Sequence, residues 1–254
     1  MKITFLGTGT SQGVPVIGCT CEVCQSLDFR NKRLRTSIHV ETGGQSFIVD
    51  TGPDFRQQML RENVKRVDAV LFTHAHRDHT AGLDDVRAYN FMQGTDMPVF
   101  GTQQVLDQLK VEYAYAFNKD AYPGIPRITL NLISEKPFEV GGVPITPLPV
   151  MHLHLPVLGF RFGDFSYITD ANAIADETLE RLRGTKVLVL NALQIEPHIS
   201  HFNLDEALKM IARINPGRTY LTHISHRLGL HGAVEKKLPD NVLLAYDGMQ
   251  LEMN

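Results

Sequence analysis

The order of apolar and polar positions divides the chain into short strands and amphipathic helices. KITFLGTGT at the start reads as a strand entering a glycine-bearing turn. TSIHVET and QSFIVDTG, separated by Gly43 and Gly44, read as a hairpin. FRQQMLREN has helical spacing, and VDAVLFT is a short apolar run rich in β-branched residues, the pattern of a buried strand. GLDDVRAYNFM predicts a helix, MPVFGT a strand and TQQVLDQLKVEYAYAF another helix. Residues 118–136 carry prolines and little periodicity and predict a long connection. Beyond them PFEVGG, VPITPLPVMH, VLGFRFG and DFSYITD predict strands, DETLERLR a helix, KVLVLNA a buried strand, LDEALKMIARI a helix, RTYLTH a strand and NVLLAYDGMQLEM a closing hairpin. Strands grouped in each half with helices between them predict an α/β (α+β) architecture, two sheets packed face to face with helices outside. No repeat, low-complexity tract or linker interrupts the pattern, so residues 1–254 are expected to form a single domain.

Composition narrows the function classes. The formal net charge of -3 argues against a global nucleic-acid surface, although a local basic patch is compatible with it. No run of eighteen apolar residues is present to span a membrane, and the N-terminal segment reaches glycine too early for a signal peptide, so the expected location is cytoplasmic. All three cysteines, Cys19, Cys21 and Cys24, fall within six residues. In a reducing compartment such a cluster points to metal rather than to disulfides.

FTHAHRDHTAG holds the densest chemistry. His74 and His76 lie two apart at the end of a predicted strand, where extended backbone projects both side chains to one side. Asp78 and His79 follow as the chain turns toward a helix. Three imidazoles and a carboxylate in so short a loop are a donor set that borderline metals such as zinc favour. Cys19-x-Cys21-x-x-Cys24 is a second potential site, a thiolate claw one ligand short of tetrahedral zinc.

The H-x-H-x-D-H string at His74–His79 resembles the signature of the metallo-β-lactamase superfamily, whose fold is an αββα sandwich. The resemblance implies that His74, His76 and His152 hold one metal ion and Asp78, His79 and His223 a second, with Asp170 touching both. His154, two residues after His152, is the alternative there. Asp50 resembles a buried carboxylate that supports the metal loop. GTGTSQGVPVIGC, GCTCEVC, THISH and YDGMQLEM are further similar to the PhnP-type phosphodiesterases, a branch acting on cyclic phosphates. That likeness implies a structural zinc on Cys19, Cys21, Cys24 and His226, in a zinc-binding loop at about 19–24. It also implies that His201 gives a proton to the leaving group, His198 being the alternative.

The expected activity is that of a binuclear hydrolase with two divalent ions, Zn or Mn, sharing a hydroxide that attacks a small or cyclic phosphodiester. Asp78 and His201 are the candidate catalytic residues. Arg35 and Arg161 are candidate phosphate contacts. A tRNA 3′-processing nuclease, a thioester hydrolase and a non-catalytic metal-stabilised binding module are the alternatives. Nucleic acid is not favoured as a partner, no membrane partner is expected, and a homodimer is compatible with the sequence. Residues 102–136, with Tyr113, Tyr115, Phe117 and Tyr122, are candidates to cover the pocket or form a dimer contact.

Overall fold

The structure is a computed structural model that describes residues 1–118 and 124–253. Tyr122 therefore lies outside the described residues. Fourteen strands are formed among them: β1 (Lys2–Gly7), β2 (Ser37–Thr42), β3 (Gln45–Val49), β4 (Ala69–Leu71), β5 (Met97–Gly101), β6 (Ile128–Leu132), β7 (Phe138–Val140), β8 (Val143–His152), β9 (Leu155–Phe162), β10 (Phe165–Tyr167), β11 (Val187–Asn191), β12 (Arg218–Thr222), β13 (Val242–Leu244) and β14 (Gln250–Glu252). They make two seven-stranded mixed sheets, ordered β14-β1-β2-β3-β4-β5-β6 and β13-β12-β11-β10-β9-β8-β7. The sheets pack face to face beneath outer helices, the αββα arrangement expected from the sequence.

Strand periodicity explains the layering. Ile3 and Phe5, Ile38 and Val40, and Phe47 and Val49 stand two apart on their strands and turn to one face of the first sheet. There they meet Phe160 and Phe162, Phe165 and Tyr167, Val189 and Tyr220 of the second sheet. Each fully buried side chain of this size stabilises the fold by roughly 1.5–3 kcal/mol. The intervening residues, such as Leu6, Ile48 and Val70, face the helices outside. Helix Leu204–Ile214 begins at a capping box, with the Asn203 side chain accepting from Glu206 N and the Glu206 side chain accepting from Asn203 N. Its buried residues Ala207, Met210 and Ile211 pack in one cluster with Leu188, Leu190 and Leu221 of the second sheet.

Two expectations are corrected. The stretch 118–136 is not connection throughout, because β6 pairs in parallel with β5, Met97 opposite Ile128. Ile128, Leu130 and Leu132 alternate with Thr129 and Asn131, a strand pattern too short to stand out behind Pro123 and Pro126, and the strand is only partly buried, with Leu132 largely exposed. The closing segment is not a hairpin. β13 pairs in parallel with β12, and β14 pairs antiparallel with β1 in the other sheet. Between them the Asp247 carboxylate accepts from Thr8 N at 2.9 Å, Thr8 Oγ1 at 2.7 Å and Leu34 N at 2.8 Å. Those bonds carry the chain across from one sheet to the other.

Candidate metal centre

The ends of β3, β4, β8, β10 and β12 lead to one group of histidines and carboxylates. His74 and His76 follow β4, and Asp78 and His79 sit on the short helix Arg77–Thr80. His152 ends β8, Asp170 follows β10 and His223 follows β12. Asp50, Asp170 and His223 all adopt left-handed backbone, with φ of 65°, 59° and 55°. Such residues cost about 1–3 kcal/mol each and persist where the surroundings over-determine them, which is typical of functional sites.

Two sets of potential ligand atoms match the expected residues, His74–His76–His152 and Asp78–His79–Asp170–His223, and a third, His152–Asp170–His201, overlaps both, the atoms of each lying within 4.8 Å of one another. Asp170 Oδ2 lies between the sets, 3.3 Å from His223 Nε2, 3.5 Å from His79 Nε2 and 3.9 Å from His74 Nε2. His79 Nε2 is 3.3 Å and His223 Nε2 is 4.0 Å from Asp78 Oδ2. Ligand bonds of about 2.0–2.1 Å in a tetrahedron put donor atoms about 3.4 Å apart, close to these separations. The buried Nε2 atoms of His74, His79 and His223 make no hydrogen bond, a costly state that a shared cation relieves. The residues present thus fit divalent metal.

The tautomers are arranged to suit. His79 Nδ1–H donates to Asp50 Oδ2 at 2.8 Å, which leaves Nε2 facing the cluster. Asp50 is fully buried and also accepts from Thr73 N at 2.9 Å and Thr73 Oγ1 at 2.8 Å. His152 Nδ1–H donates to the carbonyl of Ser200 at 2.8 Å, again freeing Nε2. Burial and neighbouring His79 keep His74 neutral, well below the usual imidazole range. Burial also works against a charge on His79, yet Asp170, Asp50 and Asp78 together raise it well above that range. A cation held there would compete with a proton for this imidazole.

His201 is buried beside the cluster. Its ring lies 4.6 Å from that of His152, 4.7 Å from His223 and 5.2 Å from His198, and its Nδ1 has no hydrogen-bond partner. Burial and the charge of His223 lower its pKa to about 3. His198 is exposed at the rim, and His154 is exposed outside both ligand sets.

Cys19, Cys21 and Cys24 place Sγ atoms 3.3, 3.4 and 3.6 Å from His226 Nδ1. Zinc bonds of about 2.3 Å to sulfur and 2.0 Å to nitrogen give similar separations. The backbone N–H of Cys24 and the His226 ring lower the Cys21 thiol to about 6, while burial pushes Cys24 up to about 11. The claw adjoins the main centre through its histidine, since His226 follows His223 by three residues. The N-terminal glycine turn lies alongside, with Thr10 N donating to Ile224 O at 3.1 Å.

Neither Arg35 nor Arg161 is free to meet a phosphate. Arg35 pairs with Asp54 at 3.0 Å and donates to Ser11 O, and Arg161 donates to the carbonyls of Gly163, Arg181 and Arg183. Arg227 is the cation the sequence reading missed. It is exposed and has no ion-pair partner among the described residues; burial, then the charges of His152 and His223, and least that of Arg227, hold His198 below the usual imidazole range. Its position one residue after His226 was the available signal. The aromatic stretch contributes a support: Tyr113 O–H donates to Thr80 O at 2.7 Å, bracing the helix that carries Asp78 and His79.

Residues 45–224 match the beta-lactamase superfamily domain. An octanoyltransferase of Porphyromonas gingivalis is 38% identical over 253 residues, covering 98% of this chain and 51% of that protein. A ribonuclease Z of Bradyrhizobium diazoefficiens is 29% identical over 164 residues, 63% of this chain and 49% of that one. The chain spans about half the length of the curated relatives it matches. Among solved structures, a diphosphatase from the PhnP family superposes with a TM-score of 0.93 at 38% identity, covering 100% of this chain and 98% of that one. Zinc-bound PqqB from Methylobacterium extorquens shares the fold, with a TM-score of 0.81 at 19% identity and full coverage of both chains.

Proposed function

This chain belongs to the metallo-β-lactamase superfamily, in its PhnP-type branch, and is a metal-dependent hydrolase; from that premise we propose that it cleaves a small or cyclic phosphoric diester at a two-metal centre. The observation that carries the reading is the placement of Asp170 Oδ2 within 3.3–3.9 Å of unpartnered nitrogens from both ligand sets. His74, His76 and His152 would hold one ion, Asp78, His79 and His223 the other, and Asp170 both. Bound there, two divalent ions supply Lewis acidity, which lowers the pKa of water toward about 7 and neutralises phosphoryl oxygens. Cys19, Cys21, Cys24 and His226 would hold a structural zinc that pins the N-terminal loop.

The protein's own groups provide orientation and proton transfer. Asp50 and the Ser200 carbonyl fix the rings of His79 and His152. His201 is placed to give a proton to the leaving oxygen. Burial and the charge of His223 leave its ring neutral as it stands, so that role would require an anionic phosphate against it to raise its affinity for the proton. Arg227, at the rim near His198, is available to a further anionic group of the substrate. The PhnP-family neighbour described as a diphosphatase supports phosphorus as the reacting centre, since a diphosphate and a phosphodiester both lose a bridging oxygen.

A second reading, thioester hydrolysis, draws on the relative described as an octanoyltransferase. Acyl transfer belongs to that whole protein, of which this chain spans 51%. Metal-loaded protein assayed on a bis-aryl phosphate, a cyclic ribose phosphate, a diphosphate, a pre-tRNA and an acyl thioester separates the readings. Phosphodiester turnover that disappears in Asp78→Ala supports the proposal, and turnover of the thioester alone overturns it.

A further inference from the structure

Beside His152 and His201 the structure exposes apolar side chains. Leu153, on the turn between β8 and β9, is 42% exposed and Ile199 is 73% exposed. Ile195, on the same loop as Ile199, is 48% exposed. The turn and the loop are sewn together: Leu153 N donates to Asn172 Oδ1 at 2.8 Å, and Asn172 Nδ2 donates to Ile199 O at 3.0 Å. The same loop supplies the Ser200 carbonyl that orients His152, and it carries His198 and His201. Leu153 and Ile199 are thus fixed on one backbone frame within two residues of groups assigned above to metal binding and proton donation.

Leu153 is also in left-handed backbone, with φ 57°. A branched, exposed side chain in that conformation costs folding energy that Gly or Asn would save. Its left-handed conformation gives no folding reason for leucine over Gly or Asn.

We propose that Leu153 and Ile199 form an apolar ledge that receives the leaving group of the substrate, so that the enzyme prefers phosphodiesters whose leaving oxygen carries an apolar group. The assignment to the leaving side rests on the phosphodiesterase reading, in which His201, two residues after Ile199, protonates the leaving oxygen. A planar aryl or base group and a flexible alkyl chain share the required chemistry.

The test uses the metal-loaded protein with three substrates: methyl 4-nitrophenyl phosphate, methyl octyl phosphate and ribose 1,2-cyclic phosphate. Ile199→Ser and Leu153→Asn are compared with the parent on each, so that intrinsic differences in leaving-group reactivity cancel. Asn accepts left-handed backbone, so Leu153→Asn should melt no lower than the parent. The ledge predicts a loss of kcat/KM of about three- to tenfold, mostly through KM, on the aryl or the octyl substrate. The loss on the cyclic ribose phosphate should be at least threefold smaller. Loss confined to one apolar substrate identifies which shape the ledge takes. Equal losses on all three, or none, overturn the ledge while leaving the phosphodiester reading intact. A parent enzyme that turns over none of the three overturns that reading and the ledge together.

Discussion

Asp50 Oδ2 accepts the Nδ1–H of His79 at 2.8 Å, with both side chains fully buried behind the metal cluster. Because the same carboxylate also holds Thr73, it links the helix bearing Asp78 and His79 to the strand end bearing His74. Asp50→Asn keeps the shape and removes the charge. Its expected effect is a 10–100-fold loss of metal affinity, typical for partners of ligating histidines, read by competition with a chromophoric chelator. Unchanged affinity would mean that the backbone alone orients His79.

His201 should matter in proportion to the basicity of the leaving group. His201→Ala is expected to slow a diester with an alkoxide leaving group by about 10²–10⁴-fold, and one with a 4-nitrophenolate leaving group far less, because nitrophenolate departs without a proton. Equal losses on both would assign His201 to binding or structure instead.

The cysteine claw makes a prediction about metal count. Cys21→Ser should lower bound metal by one ion per chain and lower the melting temperature, since structural zinc contributes about 10–16 kcal/mol of apparent binding energy in small domains. Elemental analysis of the purified variant checks the first outcome and thermal denaturation the second. An unchanged metal count contradicts a zinc on these thiols.

Stability should fall with acid for a reason outside the metal cluster. His231 is buried, accepts from Arg33 Nη2 at 3.1 Å through Nδ1, and faces Glu235 at 3.4 Å. Burial and then the Arg33 charge lower its pKa to about 4 from 6.5. The folded state is thus the poorer proton acceptor. Its contribution is complete above pH 6.5 and is lost as pH falls toward 4, amounting to about 3 kcal/mol at most. His231→Gln retains an acceptor for Arg33 but does not titrate, so its unfolding free energy should vary less between pH 7 and pH 4.5 than that of the parent. Identical slopes would remove His231 as the source.

The sequence revealed local chemistry better than long-range partners. His74, His76, Asp78 and His79 stand in six consecutive positions, so their spacing alone signals a ligand loop. His152, Asp170 and His223 are isolated in sequence and meet them only because parallel strands end at the same level. A resemblance, not periodicity, supplied them. The two-sheet layering was legible because Ile38 and Val40 alternate with Ser37, His39 and Glu41, while Phe47, Ile48 and Val49 form an unbroken apolar run of a strand buried on both faces. β6 was not, because its five alternating residues, Ile128 to Leu132, follow the prolines at 123 and 126 and merge into the connection. The final two strands were misjudged as partners because nothing local records that Asp247 is captured by Thr8 and Leu34. Arg227 escaped notice because an exposed arginine becomes informative only when its lack of a carboxylate partner is seen.

The central claim is that two divalent ions bridged by Asp170 carry out the hydrolysis. Metal-free protein titrated with Zn or Mn while bis(4-nitrophenyl) phosphate turnover is followed tests it most directly. With the cysteine claw already filled, activity should rise to a plateau at two further ions per chain, and Asp170→Ala should leave the protein inactive at any metal load. Full turnover in the chelator-treated protein, or undiminished turnover in Asp170→Ala, would contradict the account.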